Sequence, residues 1–233
     1  MDSRQTTIVK DVIVELLGVA RSLIDDLREK IIVGELVPGQ KINEIQLASA
    51  LGISRSPLRE ALRVLENEHL IGSIPRKGSF VTGVSLDDLK EAYQIREMIE
   101  CYAIDLLKEK QIVELPRVVS STDKTSMLRE PSESDSPKVK LAYITGMADY
   151  HNALIKSTGN SRLFQSYQTI HSSINRYIFL NAFREGSLQH KAEEHYQILE
   201  CVQQKKYDQA KAVMRNHIRF SAEQLRIKME TRF

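Results

Sequence analysis

Residues 54–65 read SRSPLREALRVL and place Arg55, Arg59 and Arg63 four apart. At about 100° per residue, positions four apart in a helix stay within a band roughly 80° wide. The three guanidinium groups therefore form one row. Leu58, Ala61, Leu62 and Leu65 form a second row to one side of it. An aliphatic row anchors a helix on a small core and leaves the arginine row facing outward. Outward arginines at a helix start can hold guanine O6 and N7 bidentately in a DNA major groove. They can equally clamp phosphates. The competing reading is a solvated helix face, with Arg59 and Arg63 paired to Glu60 or Glu66.

The flanking sequence supplies the elements that would position this row. Asn43 is suited to N-cap a short helix from Glu44 to about Leu51, with Gln46 at the capping-box position. Gly52 closes that helix, and Ser54 or Ser56 caps the next, with Pro57 allowed in its first turn. Two short helices joined by LGIS make a helix-turn-helix layout. The segment LIGSIPRKGSFVTG then predicts two short strands, 71–74 and 79–82, with Arg76, Lys77 and Gly78 at the tip and Gly78 supplying a positive φ. Helix-turn-helix plus hairpin is a winged helix. The candidate DNA-contacting set is Ser54, Arg55, Ser56, Arg59 and Arg63 on the helix, and Arg76, Lys77 and Gly78 on the wing. Upstream, Leu23, Ile24, Leu27 and Ile31 predict a helix from about Val19 to Val33, stopped by Gly34. Ile8 to Leu17 predict a further amphipathic helix.

His151, His195 and His217 are three of the six histidines and fall on separate long helical patterns. Neutral imidazoles on facing helices can converge on Zn²⁺ or Ni²⁺. A histidine on a helix can also be a satisfied core residue. Ser85 with Asp88 marks a helix start. Helical patterns follow over Leu86–Lys110, Lys138–Ser157, Ser161–Phe183, Leu188–Gln204 and Tyr207–Lys228, and the stretch between Pro116 and Pro137 is the least regular. Helices joined mostly by short loops predict an antiparallel bundle. The expected parts are an N-terminal extension, 1–18, a winged-helix domain, 19–83, and a helical domain, 84–233. The fold class is mainly α.

Composition narrows the partners. The chain has 233 residues and a net charge of +2, so bulk charge alone does not call for a nucleic acid. Two cysteines a hundred residues apart are neither a disulfide framework nor a cysteine metal motif. No apolar run reaches membrane-spanning length, and Asp11 and Glu15 break the N-terminal apolar stretch, so a cytoplasmic protein without a membrane partner is expected.

The stretch GELVPGQKINEIQLASALGISRSPLREALRVLENEHLI, followed by PRKGSFV, closely resembles the winged-helix domain of the GntR family of bacterial transcription regulators. The likeness spans about Val19 to Val81. His69 departs from it, since relatives usually have Gly there. LDDLKEAYQIREMIECYAIDLL, DYHNALIKSTGNSRL and EEHYQILECVQQKKYDQAKAVMRNHI resemble the helical effector-binding domain of the FadR branch, from Ser85 to about Phe220. This resemblance implies a homodimer that binds a palindromic double-stranded DNA operator, acts as a metabolite-responsive repressor, and binds a small organic acid in a bundle cavity, often around a divalent metal. His151, His195 and His217 match the family's metal-binding histidines. The fourth ligand is an Asp one turn before the first His, and that position is Met147 here. Asp149 points about 200° away around the helix from His151 and does not replace it. Arg96 matches an arginine turned toward the cavity, the other reading being an ion pair with Glu100. Asn175 and Arg176 are candidates for the cavity wall, and Tyr93 for packing. Two alternatives stay open. One is a metal-dependent hydrolase built on the three histidines, although no nucleophile elbow, phosphate loop or HExxH pattern accompanies them. The other is an architectural DNA-binding protein whose bundle only dimerises.

Overall fold

The structure is a computed structural model that describes residues 20–181 and 191–231, together with Gly18. The helix expected over Ile8–Leu17, the C-terminal end expected at Phe183 and the start expected at Leu188 lie outside these residues. The chain divides into two compact units that part between Gly83 and Val84.

In the first unit, helix α1 (residues 20–32) precedes β1 (Lys41–Ile42), α2 (Glu44–Ala50), α3 (Arg55–Asn67), β2 (Ile71–Ile74) and β3 (Gly78–Val81). Leu23, Leu27 and Ile31 of α1 pack with Leu58, Ala61, Leu62 and Leu65 of α3 into one core, closed by Leu70, Ile71 and Val81. Leu58 and Leu65 have no exposed surface. Burying each contributes about 1.5–3 kcal/mol and fixes which face of α3 turns inward. A forked ion pair ties the two helices, with Arg28 Nε and Nη2 donating to Glu68 at 2.7 and 2.6 Å. Asn43 Oδ1 accepts from the backbone N–H of Ile45 and of Gln46, so α2 starts where its cap predicts. Ser54 is the N-cap residue of α3 but makes no side-chain capping bond, and Ser56 lies inside the helix.

The sheet has three strands in the order β1-β3-β2, all antiparallel, so the wing is a hairpin with a third, two-residue strand along β3. Ile71 faces Val81 and Ile74 faces Gly78 across the hairpin. The positive φ expected at Gly78 is present, and the turn adds a second one at Arg76. Lys77 N–H donates to Ile74 C=O at 3.0 Å, which closes a turn over Pro75 and Arg76. Arg76 holds a positive φ of 66°, and Gly78 follows with 91°. Proline at the second position of such a turn fits its fixed φ, and the positive φ of Arg76 at the third makes it a type II turn, a conformation that usually takes Gly or Asn there.

The second unit consists of α4 (Leu86–Glu109), α5 (Pro116–Ser126), α6 (Pro137–Ser157), α7 (Ser161–Asn181), α8 (Lys191–Gln203) and α9 (Tyr207–Glu230). The irregular stretch resolves into α5 and a loop. Ser85 Oγ accepts the Asp88 N–H, and Ser136 Oγ accepts the Val139 N–H, which starts α4 and α6. Helix α4 packs on α9, α7 and α6, and α8 packs on α9 and α5. Ala103, Ile104 and Leu107 of α4 share the core with Leu154 of α6, Ile198 of α8 and Met214 of α9, all at least 99% buried. No helix among the described residues is long and apolar enough to cross a membrane.

Candidate functional site

On α3 the buried row is Leu58, Ala61, Leu62 and Leu65. Arg55, Arg59 and Arg63 stand to one side of it, each with more than half of its side chain exposed. Arg63 donates to Glu60 at 2.8 Å, as an i, i+3 pair allows. Arg59 does not pair with Glu60 or Glu66. Its Nε donates to Glu44 at 2.8 Å, and Arg55 Nη2 lies 3.9 Å from the same carboxylate. Glu66 instead accepts from Ser73 Oγ at 2.5 Å. A carboxylate on the first turn of α2 thus holds one of the outward arginines and sits beside another. Arg76 and Lys77 are exposed at the wing tip, next to Gly78, and Ser54 and Ser56 are exposed at the start of α3. This surface offers guanidinium forks, one ammonium and hydroxyls, which is donor chemistry suited to phosphate oxygens and guanine edges.

The bundle holds a second polar cluster, deep in its core. His151 of α6, His195 of α8 and His217 of α9 are all buried, and one donor nitrogen from each lies within 4.8 Å of the others. The ring centres are 4.9 Å apart for His151–His195, 4.8 Å for His195–His217 and 5.3 Å for His151–His217. Three imidazoles on one tetrahedral ion at about 2.0–2.1 Å would hold their ring centres about 5 Å apart, so the triangle fits a divalent cation. Two carboxylates fix ring orientation from outside, as ligating histidines require. Glu100 Oε2 is 2.6 Å from His151 Nδ1, and Glu194 Oε2 is 2.6 Å from His217 Nδ1. Tyr150 stacks on His195 at 3.9 Å with an interplanar angle of 5°.

Arg96 belongs to this cluster. Its Nε donates to Glu100 Oε1 at 2.7 Å and its Nη2 lies 2.8 Å from His151 Nε2. A guanidinium only donates, so His151 Nε2 accepts, and its Nδ1–H is the atom facing Glu100. The Glu100 carboxylate raises the Arg96 pKa against the opposing effect of burial, so the guanidinium stays charged. Both readings of Arg96 therefore hold at once, as an ion pair with Glu100 and as a lining residue. Arg96, the three histidines and Asn175 are polar lining residues of a pocket that Met147, Tyr143 and Ile178 also line. The cavity is small, about 30 Å³, room for one or two waters. Met147 stands one turn before His151, where it brings a thioether and no charge, and Asp149 is exposed. Tyr93 packs beneath Arg96, with its ring centre 5.4 Å from the guanidinium carbon.

Arg176 is a correction. It is buried but does not line the pocket. One residue past Asn175 turns it about 100° around α7, and its electrostatic neighbours are Tyr177 and Asp88, near the start of α4. Burial lowers its pKa. Glu44 and Glu194 were not legible as partners, since 15 and 23 residues separate them from Arg59 and His217. Glu100 was legible, one turn from Arg96.

Comparison with known proteins decides what this pair of sites belongs to. Residues 19–81 match the family described as bacterial regulatory proteins, gntR family, and residues 91–220, more than half of the chain, match the FCD domain.

The chain belongs to the GntR family of bacterial regulators, in the branch that carries an FCD domain.

It is 28% identical over 207 residues to the HTH-type transcriptional regulator YdhC of Bacillus subtilis (strain 168), covering 88% of this chain and 90% of that one. It is 26% identical over 175 residues to the gluconate operon transcriptional repressor of Bacillus licheniformis, covering 75% of this chain and 69% of that one. In fold it resembles a GntR regulator of Rhodococcus sp. RHA1, with a TM-score of 0.71 at 19% identity over 89% of this chain and 97% of that one. The GntR-family protein is therefore a DNA-binding transcription regulator with an effector-type helical domain, and its relatives are regulators rather than enzymes. That removes the ground for the hydrolase alternative.

Proposed function

We propose that this regulator is a homodimeric, metabolite-responsive repressor. Helix α3 reads a palindromic operator from each half of the dimer, and the wing follows the DNA backbone beside it. The observation that carries the reading is the exposed Arg55–Arg59–Arg63 row, mounted on a fully buried aliphatic row. Arg55 and Arg59, nearest the helix start, are the base-reading pair. Arg63, Arg76 and Lys77 hold phosphates, Ser54 and Ser56 add hydroxyl contacts, and Gly78 lets the wing backbone come close. Two-fold symmetry in the dimer requires matching half-sites in the DNA. Repression is supported by the likeness to the gluconate operon repressor.

The effector in this reading is a small organic acid bound in the pocket of the helical domain. Arg96 supplies the cation for its carboxylate and Asn175 a neutral hydrogen bond. His151, His195 and His217 would hold a divalent cation, Zn²⁺ or Ni²⁺, with Glu100 and Glu194 orienting two of the rings. Such a cation, when bound, supplies a Lewis-acid grip on a carboxylate oxygen. The test is a thermal-shift screen of small organic acids on the full chain. A binding acid raises the melting temperature with concentration, as mass action requires. Arg96→Gln should reduce that response at least tenfold in apparent affinity. A stabilising acid to which the variant responds identically would place the effector elsewhere.

A further inference from the structure

The pocket's charges leave an unresolved balance. Arg96 and Glu100 are both buried, and their opposite charges cancel. His151 is held neutral, because Nε2 accepts from Arg96 while Nδ1–H points at Glu100. An added anion would meet a guanidinium already neutralised by its own acid. An added divalent cation would meet a guanidinium 2.8 Å from one of the three nitrogens it needs. Met147, at the position one turn before His151, contributes no negative charge to offset it. Either ion alone is poorly compensated in a buried site.

We propose that Arg96 makes the anion site and the cation site one coupled unit. The hydrogen bond from Arg96 Nη2 to His151 Nε2 is the closed state. A carboxylate ligand draws the guanidinium away from His151 and exposes the Nε2 lone pair for a divalent cation. The carboxylate also brings the negative charge that Met147 lacks. By reciprocity, filling the three-histidine site releases Arg96 toward the carboxylate, so each ligand raises the affinity for the other by the same factor. Arg96 then acts as a resident cation standing in for the absent divalent one, and Glu100 keeps one oxygen on each partner throughout. The inference rests on the reading that these histidines can hold a divalent cation and that Arg96 faces an anion.

The experiment measures zinc affinity of the tag-free full chain by competition with a chromophoric chelator. It is run with sodium acetate and with sodium chloride at equal ionic strength, on the unmodified chain and on Arg96→Gln. Acetate is expected to tighten zinc binding by the unmodified chain about tenfold, within the usual range of site coupling. Arg96→Gln is expected to bind zinc about as tightly in chloride as the unmodified chain does in acetate, with no response to acetate. The acetate comparison on the unmodified chain stands whether or not the variant folds. Equal zinc affinity in both salts, with Arg96→Gln the same as the unmodified chain, would overturn the coupling while leaving the histidines a cation site. Failure of either protein to bind zinc in either salt would overturn the cation reading and the coupling with it.

Discussion

Glu44 shows how a single side chain decides what an exposed arginine does. Free guanidinium groups on a helix sample many rotamers, and base reading needs one of them held. Glu44, at 2.8 Å from Arg59 Nε, restricts Arg59 through that one nitrogen. It also places a negative charge where DNA would approach, which weakens binding to any sequence. Glu44→Gln should therefore raise affinity for arbitrary duplex and lower the operator-to-arbitrary ratio, by about fivefold to tenfold, as loss of one charge-assisted hydrogen bond implies. Competition binding with two duplexes at several salt concentrations measures this. A uniform rise for both duplexes would reduce Glu44 to a charge effect. The arginine row itself was legible, because helical periodicity specifies which residues share a face. The Glu44 contact was not, because it depends on the angle between α2 and α3. The same holds for Glu194 and His217, which meet across two helices.

Elements were legible where capping chemistry and hydrophobic period agree. Asn43 and Ser85 both accept backbone N–H groups at the helix starts they mark, whereas Ser136, which caps α6, lies in the stretch whose pattern is least regular. Strand β1 was not legible, because two residues carry no period. The end of α3 was foreseen as unusual, and the structure gives the reason. His69 has φ 58°, its N–H donates to Glu66 C=O at 3.0 Å, and the Leu70 N–H donates to Leu65 C=O at 2.9 Å. These two bonds and the buried Leu65 and Leu70 make the left-handed helix ending normally assigned to glycine. His69 keeps the geometry, so the wing enters as a glycine would have it, at a conformational cost of about 1 kcal/mol. Its side chain is exposed and loses little on removal. His69→Gly should stabilise the chain by about 0.5 kcal/mol, the gain being partly offset by the freer unfolded backbone. Denaturant unfolding checks it, and a loss of stability would mean that the imidazole does something at the surface that its exposure hides.

At the scale of the molecule, the two units carry separate chemistry that only linkage can join. If effector weakens operator binding, the operator-bound protein must bind effector more weakly by the same factor, so operator duplex should lower the protein's apparent affinity for any stabilising acid found in the thermal screen. Equal acid affinity with and without operator would separate the pocket from regulation. The sequence made the two-unit layout legible through the turn-rich stretch before Ser85. It also placed three histidines on three helices. It could not show that Arg96 spans to His151, since that depends on how closely α4 and α6 pack. The most direct test of the whole reading is sequence-specific binding through α3. Duplexes enriched from a random pool by the full chain should be bound about 10³-fold or more tightly over scrambled ones at physiological salt, and the Arg55→Ala, Arg59→Ala double variant should remove most of that preference while keeping its folded melting transition. Retention of the full preference by the folded double variant, or equal affinity of the unmodified chain for enriched and scrambled DNA, would contradict it.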